Sequence, residues 1–193
     1  MHELEALRKD GMIRHIGLCE ISTEKLKQAL DVGRVDAVQY EYSLWEREVE
    51  TDVLPVCRDH NIAFVPYSPL GRGFLTGDIG RAEELPHGDY RRTDPRYQGD
   101  NFDANSKIID ALEQVAQRHY ATKAQIVLAW LLEQGENVIP IPGTKRRERL
   151  EENAKATEVT LSTSDLNSLN EAAPIRGTHG ARYNETNFAS VRR

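Results

Sequence analysis

Ile62-Ala-Phe-Val-Pro-Tyr-Ser-Pro-Leu-Gly-Arg-Gly-Phe-Leu-Thr-Gly77 is the stretch whose reading decides the fold. Ile62 to Tyr67 is a short β-branched and aromatic run closed by turn-forming residues, the pattern of a buried strand. It ends in Tyr67 and Ser68 and passes into a loop holding Pro69, Gly71, Gly73 and Gly77. Small residues let a ligand approach the main chain closely. Tyr67 offers a flat ring at the strand end, and Ser68 a hydroxyl.

The alternation extends in both directions. Ile13 to Leu18 and Val35 to Tyr40 read as strands upstream, and Val138 to Ile141 as a fourth strand downstream. The chain opens in a helix, with Leu4 and Leu7 at helical spacing before Gly11. Ser22 is placed to cap a helix through Leu26, Ala29 and Leu30 that stops at Gly33. Val49 to His60 is the next helix, with Pro55 near its first turn.

Past the glycine loop, Leu70 to Asn105 shows no clear periodicity, and loops of that length are usually lids or disordered. Ser106 to His119 carries one apolar stripe. Thr122 and Gln125 form a capping box for the helix after it. Further helices are expected over Lys145 to Ala156 and from Ser162 through Ala172, before an irregular tail from Pro174 to Arg193. Four strands alternating with helices imply parallel βαβ units with right-handed crossovers. No linker, repeat or low-complexity tract divides the chain, so residues 1–193 read as a single domain.

Composition narrows the function classes. With 39% hydrophobic and 29% charged residues, the 193-residue chain is ordinary for a soluble globular protein able to bury a core. The net charge of −6 argues against nucleic acid, and the basic cluster Lys145-Arg-Arg147 is interleaved with Glu148, Glu151 and Glu152. No apolar run reaches membrane-spanning length. Cys19 and Cys57 make neither a disulfide scaffold nor, with the histidines, a metal cluster. The charged N-terminus is not a signal peptide, so a reducing, cytoplasmic setting is expected.

In βα barrels the working residues sit at the C-terminal ends of the strands. Those ends here carry Cys19-Glu20, Gln39-Tyr40-Glu41, Tyr67-Ser68 and Pro142-Gly143-Thr144. Loops begin at strand ends and are polar anyway, so patterning alone leaves a functional and a bland reading about equal.

Four blocks shift that balance. Ile16-Gly-Leu-Cys-Glu20, Val38-Gln-Tyr-Glu-Tyr-Ser-Leu44, Val65-Pro-Tyr-Ser-Pro-Leu-Gly71, and Ile141-Pro-Gly-Thr-Lys145 with Arg149, Glu152 and Asn153 occur in this order. Together they resemble successive blocks of the aldo-keto reductase family, over nearly the whole chain. The resemblance implies the C-terminal half of a (β/α)₈ barrel, roughly strands 5 to 8, with NADP(H) as cofactor and a small carbonyl or alcohol as substrate. It implies Cys19, Glu20 and Gln39 at the nicotinamide carboxamide and Tyr67 stacked on the nicotinamide ring. Ser68, Leu70 and Arg72 fall along the pyrophosphate. Gly143, Thr144, Lys145 and Arg149 fall at the 2′-phosphate, and Glu152 and Asn153 at adenine.

A fixed arginine with a nearby lysine meets a phosphate well, and a helix beginning after Thr144 adds its terminal amides. Arg146 and Arg147 read instead as a solvated face. Cys19 stands where the family has serine, and a thiol is a weak donor. It loosens the cofactor slightly or merely fills a small pocket. The family's catalytic Asp, Tyr, Lys and His have no counterparts here, so no catalytic residue is assigned. The rival readings are a partial version of a normal reductase, a nucleotide-binding or regulatory partner without reductase activity, and a non-redox enzyme with the Leu70–Asn105 loop as lid. A half barrel also leaves edges and an apolar face open to self-association or to a complementary half barrel.

Overall fold

The computed structural model describes residues 1–184. Helix α1 (His2–Lys9) leads into strand β1 (Gly17–Cys19), helix α2 (Thr23–Val32) and strand β2 (Ala37–Glu41). Helix α3 (Val53–Asp59) and strand β3 (Ala63–Tyr67) complete a parallel sheet of order β1-β2-β3. The register sets Gly17 beside Ala37 and Ala63, and Cys19 beside Gln39 and Val65. The expected α/β architecture of parallel βαβ units is therefore present.

The fourth expected strand needs correction. Residues 137–141 run beside β3, joined by Phe64 N to Asn137 O at 2.7 Å, Ile139 N to Phe64 O at 2.8 Å and Ile141 N to Pro66 O at 3.0 Å. Only an isolated parallel bridge, Phe64 to Val138, results. Pro66 has no N–H to return, so the ladder breaks there. The first strand also forms later than its apolar run suggested, at Gly17–Cys19 and not from Ile13.

The Val49–His60 helix is a 3₁₀ turn (Glu48–Thr51) followed by α3, broken at Asp52, whose ψ is −96°. Pro55 does lie in the first turn of α3. The Leu70–Asn105 connection is ordered, through 3₁₀ turns at Gly71–Thr76, Ala82–Glu84, Tyr90–Thr93 and Pro95–Tyr97 and helix α4 (Gly99–Asn105). It is held by side chains and not by a helical period: Trp45 stacks on Phe74 at 4.5 Å, and Tyr97 meets Trp45 edge-on at 5.5 Å. Gly71 packs so closely on the Trp45 ring that a Cβ would lie 3.0 Å from it, and its φ is +57°, so only glycine fits without strain.

Helices α5 (Lys107–His119) and α6 (Lys123–Leu132) follow, the latter buried nearly all round. Helix α7 (Arg147–Ala154) starts two residues later than Lys145 and gives way to a 3₁₀ turn at Lys155–Glu158; α8 (Thr163–Ala172) closes the core. The caps foreseen at Ser22, Thr122 and Ser162 all form. Val38, Tyr40 and Phe64 are buried on the helix side of the sheet, where Tyr42 meets Phe64 and Trp130 edge-on. The opposite face, with Ala37, Gln39, Ala63, Val65 and Tyr67, is only half-buried.

Candidate cofactor site

Parallel strands bring their C-terminal ends to one side, so residues far apart in sequence gather there. Cys19 and Gln39 are register partners on β1 and β2, and the Cys19 thiol lies 3.8 Å from Gln39 Oε1. Burial raises the Cys19 pKa, and the charge of Glu20 adds to it, so the thiol stays protonated. Glu20 follows β1 with φ +50°, and Ser68 and Arg72 follow β3 with φ +48° and +57°. Three non-glycine residues in left-handed backbone near one set of strand ends mark stored strain, a feature that clusters at functional sites.

The Tyr67 hydroxyl donates to Glu20 Oε1 at 2.7 Å and faces the Tyr183 hydroxyl at 3.1 Å. Burial pushes the Tyr67 pKa up, and its bond to Tyr183 adds to the shift, so the phenol keeps its proton. Burial alone would raise the Glu20 carboxyl; hydrogen bonding and charge from Arg182 outweigh it and lower its pKa. Arg182 donates to Glu20 Oε1 at 2.5 Å and Oε2 at 3.1 Å, and to Glu41 Oε2 at 2.6 Å. Arg72, expected along a pyrophosphate, is turned inward: it grips both Glu41 oxygens at 2.9 Å and Asp94 Oδ2 at 2.5 Å.

Leu70, Gly143, Thr144, Arg149, Glu152 and Asn153 line a separate cavity of about 550 Å³ between α5, α6 and α7. Lys145 lies outside that lining; with Arg146 and Arg149 it borders the adjoining surface depression. Arg146 is exposed beside that depression, and Arg147 is exposed and pairs with Glu151, so both lie on a solvated face. The Arg149 guanidinium is half-exposed and only 3.9 Å from Asp78, a loose pairing that leaves donors available. Gly143 has open space where a Cβ would stand. The donor set, a half-exposed Arg149 beside Thr144, Glu152 and Asn153 in a cavity of mixed polar and apolar lining, fits an adenosine phosphate.

The residues that sequence reasoning did not assign are Glu41, Asp94, Arg182 and Tyr183. Their signal was charge accounting: two acids at strand ends, Glu20 and Glu41, require cations, and Gly180-Ala-Arg-Tyr183 supplies one. Among the described residues, no cluster of histidine, cysteine and acids is placed to hold a metal ion, and no helix is long and apolar enough to cross a membrane.

An open parallel sheet with helices on one side and polar and charged side chains gathered at its strand ends is the architecture of part of a βα barrel. The family model for the aldo/keto reductase family matches residues 1–174, and the chain belongs to that family. It is 44% identical over 181 residues to "Probable aldo-keto reductase 1" of Glycine max, covering 94% of this chain and 52% of that protein. It is likewise 44% identical over 186 residues to the Schizosaccharomyces pombe aldo-keto reductase yakc, whose name carries NADP(+), covering 95% of this chain and 55% of the relative. The structure of a glycerol dehydrogenase from Gluconobacter oxydans superposes with TM-score 0.82 at 28% identity, over 89% of this chain and 52% of that one. The chain spans about half the length of these relatives, and the match is to their C-terminal half.

Proposed function

We propose that this chain binds NADP(H) and forms the cofactor-holding part of an oxidoreductase interconverting small carbonyl compounds and alcohols. The observation that carries this reading is the cavity between α5, α6 and α7, where Arg149, Thr144, Glu152 and Asn153 converge. Arg149 and Lys145 would hold the 2′-phosphate, Gly143 and Thr144 would let it reach the α7 amides, and Glu152 and Asn153 would bond adenine. Ser68 and Leu70 would border the pyrophosphate. Cys19, Glu20 and Gln39 would orient the carboxamide and Tyr67 would support the nicotinamide ring. When bound, the cofactor supplies the hydride. The residues here orient it and exclude water, and the proton-donating group is not assigned to a residue of this chain.

Titration by fluorescence tests the reading. NADPH is expected to bind more tightly than NADH. Arg149→Ala should weaken NADPH about tenfold, the lower end of the range for a charged hydrogen bond because Arg149 is half-exposed, and leave NADH nearly unchanged. Unchanged NADPH affinity in the variant would remove Arg149 from the site.

A further inference from the structure

We propose that residues 173–183 form a strap whose tip, Arg182 and Tyr183, fastens over the nicotinamide end of the site and must lift before a complete dinucleotide seats. This rests on the cofactor reading above and adds a regulatory contact to it. Two sets of bonds hold the segment, and they differ in kind. The base is tied through its main chain: Arg47 Nη1 donates to Ala173 O at 2.6 Å, and Asn105 exchanges two bonds with His179, at 2.9 and 3.0 Å. Gly180 passes so close to Pro95 that a Cβ would stand 2.9 Å from its carbonyl, and its φ of +90° turns the chain toward the strand ends.

The tip is held almost wholly through side chains, and by groups the cofactor needs. Arg182 takes Glu20, Glu41 and the Tyr67 hydroxyl, the last at 2.7 Å. Tyr183 faces the Tyr67 hydroxyl and lies under the Arg72 guanidinium, 4.5 Å from its ring centre. The space between the tip and Arg72, Tyr90 and Asp94 is a cavity of about 30 Å³, room for roughly one water. A nicotinamide ring on Tyr67 with its amide at Glu20 competes for the same atoms.

The other end is unobstructed. None of residues 173–183 lines the 550 Å³ cavity around Arg149 and Asn153. The strap therefore gates half of the ligand. Its fastening is strong because lifting Arg182 strips Glu20 of its cation and leaves Glu41 to share Arg72 with Asp94, and because the anchored base keeps the tip at high effective concentration. Apparent affinity for a full dinucleotide falls by the fraction of molecules with the tip lifted.

The test uses the full chain and two ligands. Adenosine 2′,5′-bisphosphate fills only the open end; NADPH needs both. If the tip is lifted in about a tenth of molecules or fewer, Arg182→Ala should tighten NADPH about tenfold or more and leave the bisphosphate unchanged. In the unaltered chain, NADPH should speed amide hydrogen exchange at residues 181–183, and the bisphosphate should not. Tyr183→Phe, which removes one hydroxyl, should tighten NADPH in the same direction and decides the matter should Arg182→Ala unfold. NADPH binding weakened or unchanged in the variants while the bisphosphate still binds, or exchange slowed by NADPH, overturns the strap alone and makes the tip part of the cradle. Failure of the bisphosphate to bind overturns the cofactor reading, and the strap with it.

Discussion

Arg72 joins three segments through one guanidinium. It bonds Glu41 on β2, Asp94 in the long connection and the Arg182 carbonyl in the tail, and both it and Glu41 are almost completely buried. Removing one partner of a buried ion pair strands the other's charge, a cost of roughly 3–5 kcal/mol. Arg72→Met is therefore expected to destabilise by about 3 kcal/mol, the lower end because Glu41 keeps Arg182. Urea denaturation measures this; a loss below about 1 kcal/mol would show that the network carries little of the fold. The sequence pointed to Tyr67, Gln39 and Arg149 because each sits in a local block. It did not show that residues 41, 72, 94 and 182 meet, since their spacing follows no period and only the tertiary fold joins them.

Elements with local signals were legible, and elements that depend on a neighbour were not. Ser22, Thr122 and Ser162 cap their helices because a cap needs only the next three residues. The strand expected at Val138–Ile141 depended on what β3 offered, and Pro66 withheld a donor. The turns of residues 70–98 depended on Trp45, far upstream.

Asp165 combines both kinds of contact. It completes the Ser162 capping box of α8 and reaches His119 at 2.9 Å and Arg118 at 2.7 Å on α5. Burial would raise its pKa, but bonds from Ser162, His119 and Arg118 outweigh burial and hold it well below the usual carboxylate range. A depressed carboxyl contributes stability above its unfolded pKa of about 3.9 and loses it as pH falls through the folded value. The difference in urea midpoint between the unaltered chain and Asp165→Asn should therefore be full at neutral pH and shrink under acid. A difference that grows toward low pH would contradict this assignment.

At the scale of the molecule, the sheet is covered on one side only. Gly17, Ala37 and Ala63 form one row of the open face and Cys19, Gln39 and Val65 the next, with Ile139 and Ile141 more than 40% exposed beyond them. A half-barrel interior of this kind favours association because Arg182 and Tyr183 cover only its Tyr67 end, while Gly17, Cys19, Ile139 and Ile141 stay exposed. The two margins differ. Ile139 and Ile141 point their amides at β3, so Pro140 and Pro142 occupy the outward positions and present no donor; that margin is blunted against pairing. At β1, Glu20 N bonds Gln39 O and Asp36 N bonds Ile16 O, so by alternation Gly17 and Cys19 direct their main chain outward. Association is thus expected through the open face and the β1 margin, with a second copy or with a complementary half barrel. Light scattering at micromolar concentration should give a dimer or larger species. Gly17→Pro, which removes an outward donor, should shift it toward monomer. A cooperatively unfolding monomer at that concentration would show that the small residues of the open face tolerate water, and the edge at β1 would then carry no assembly.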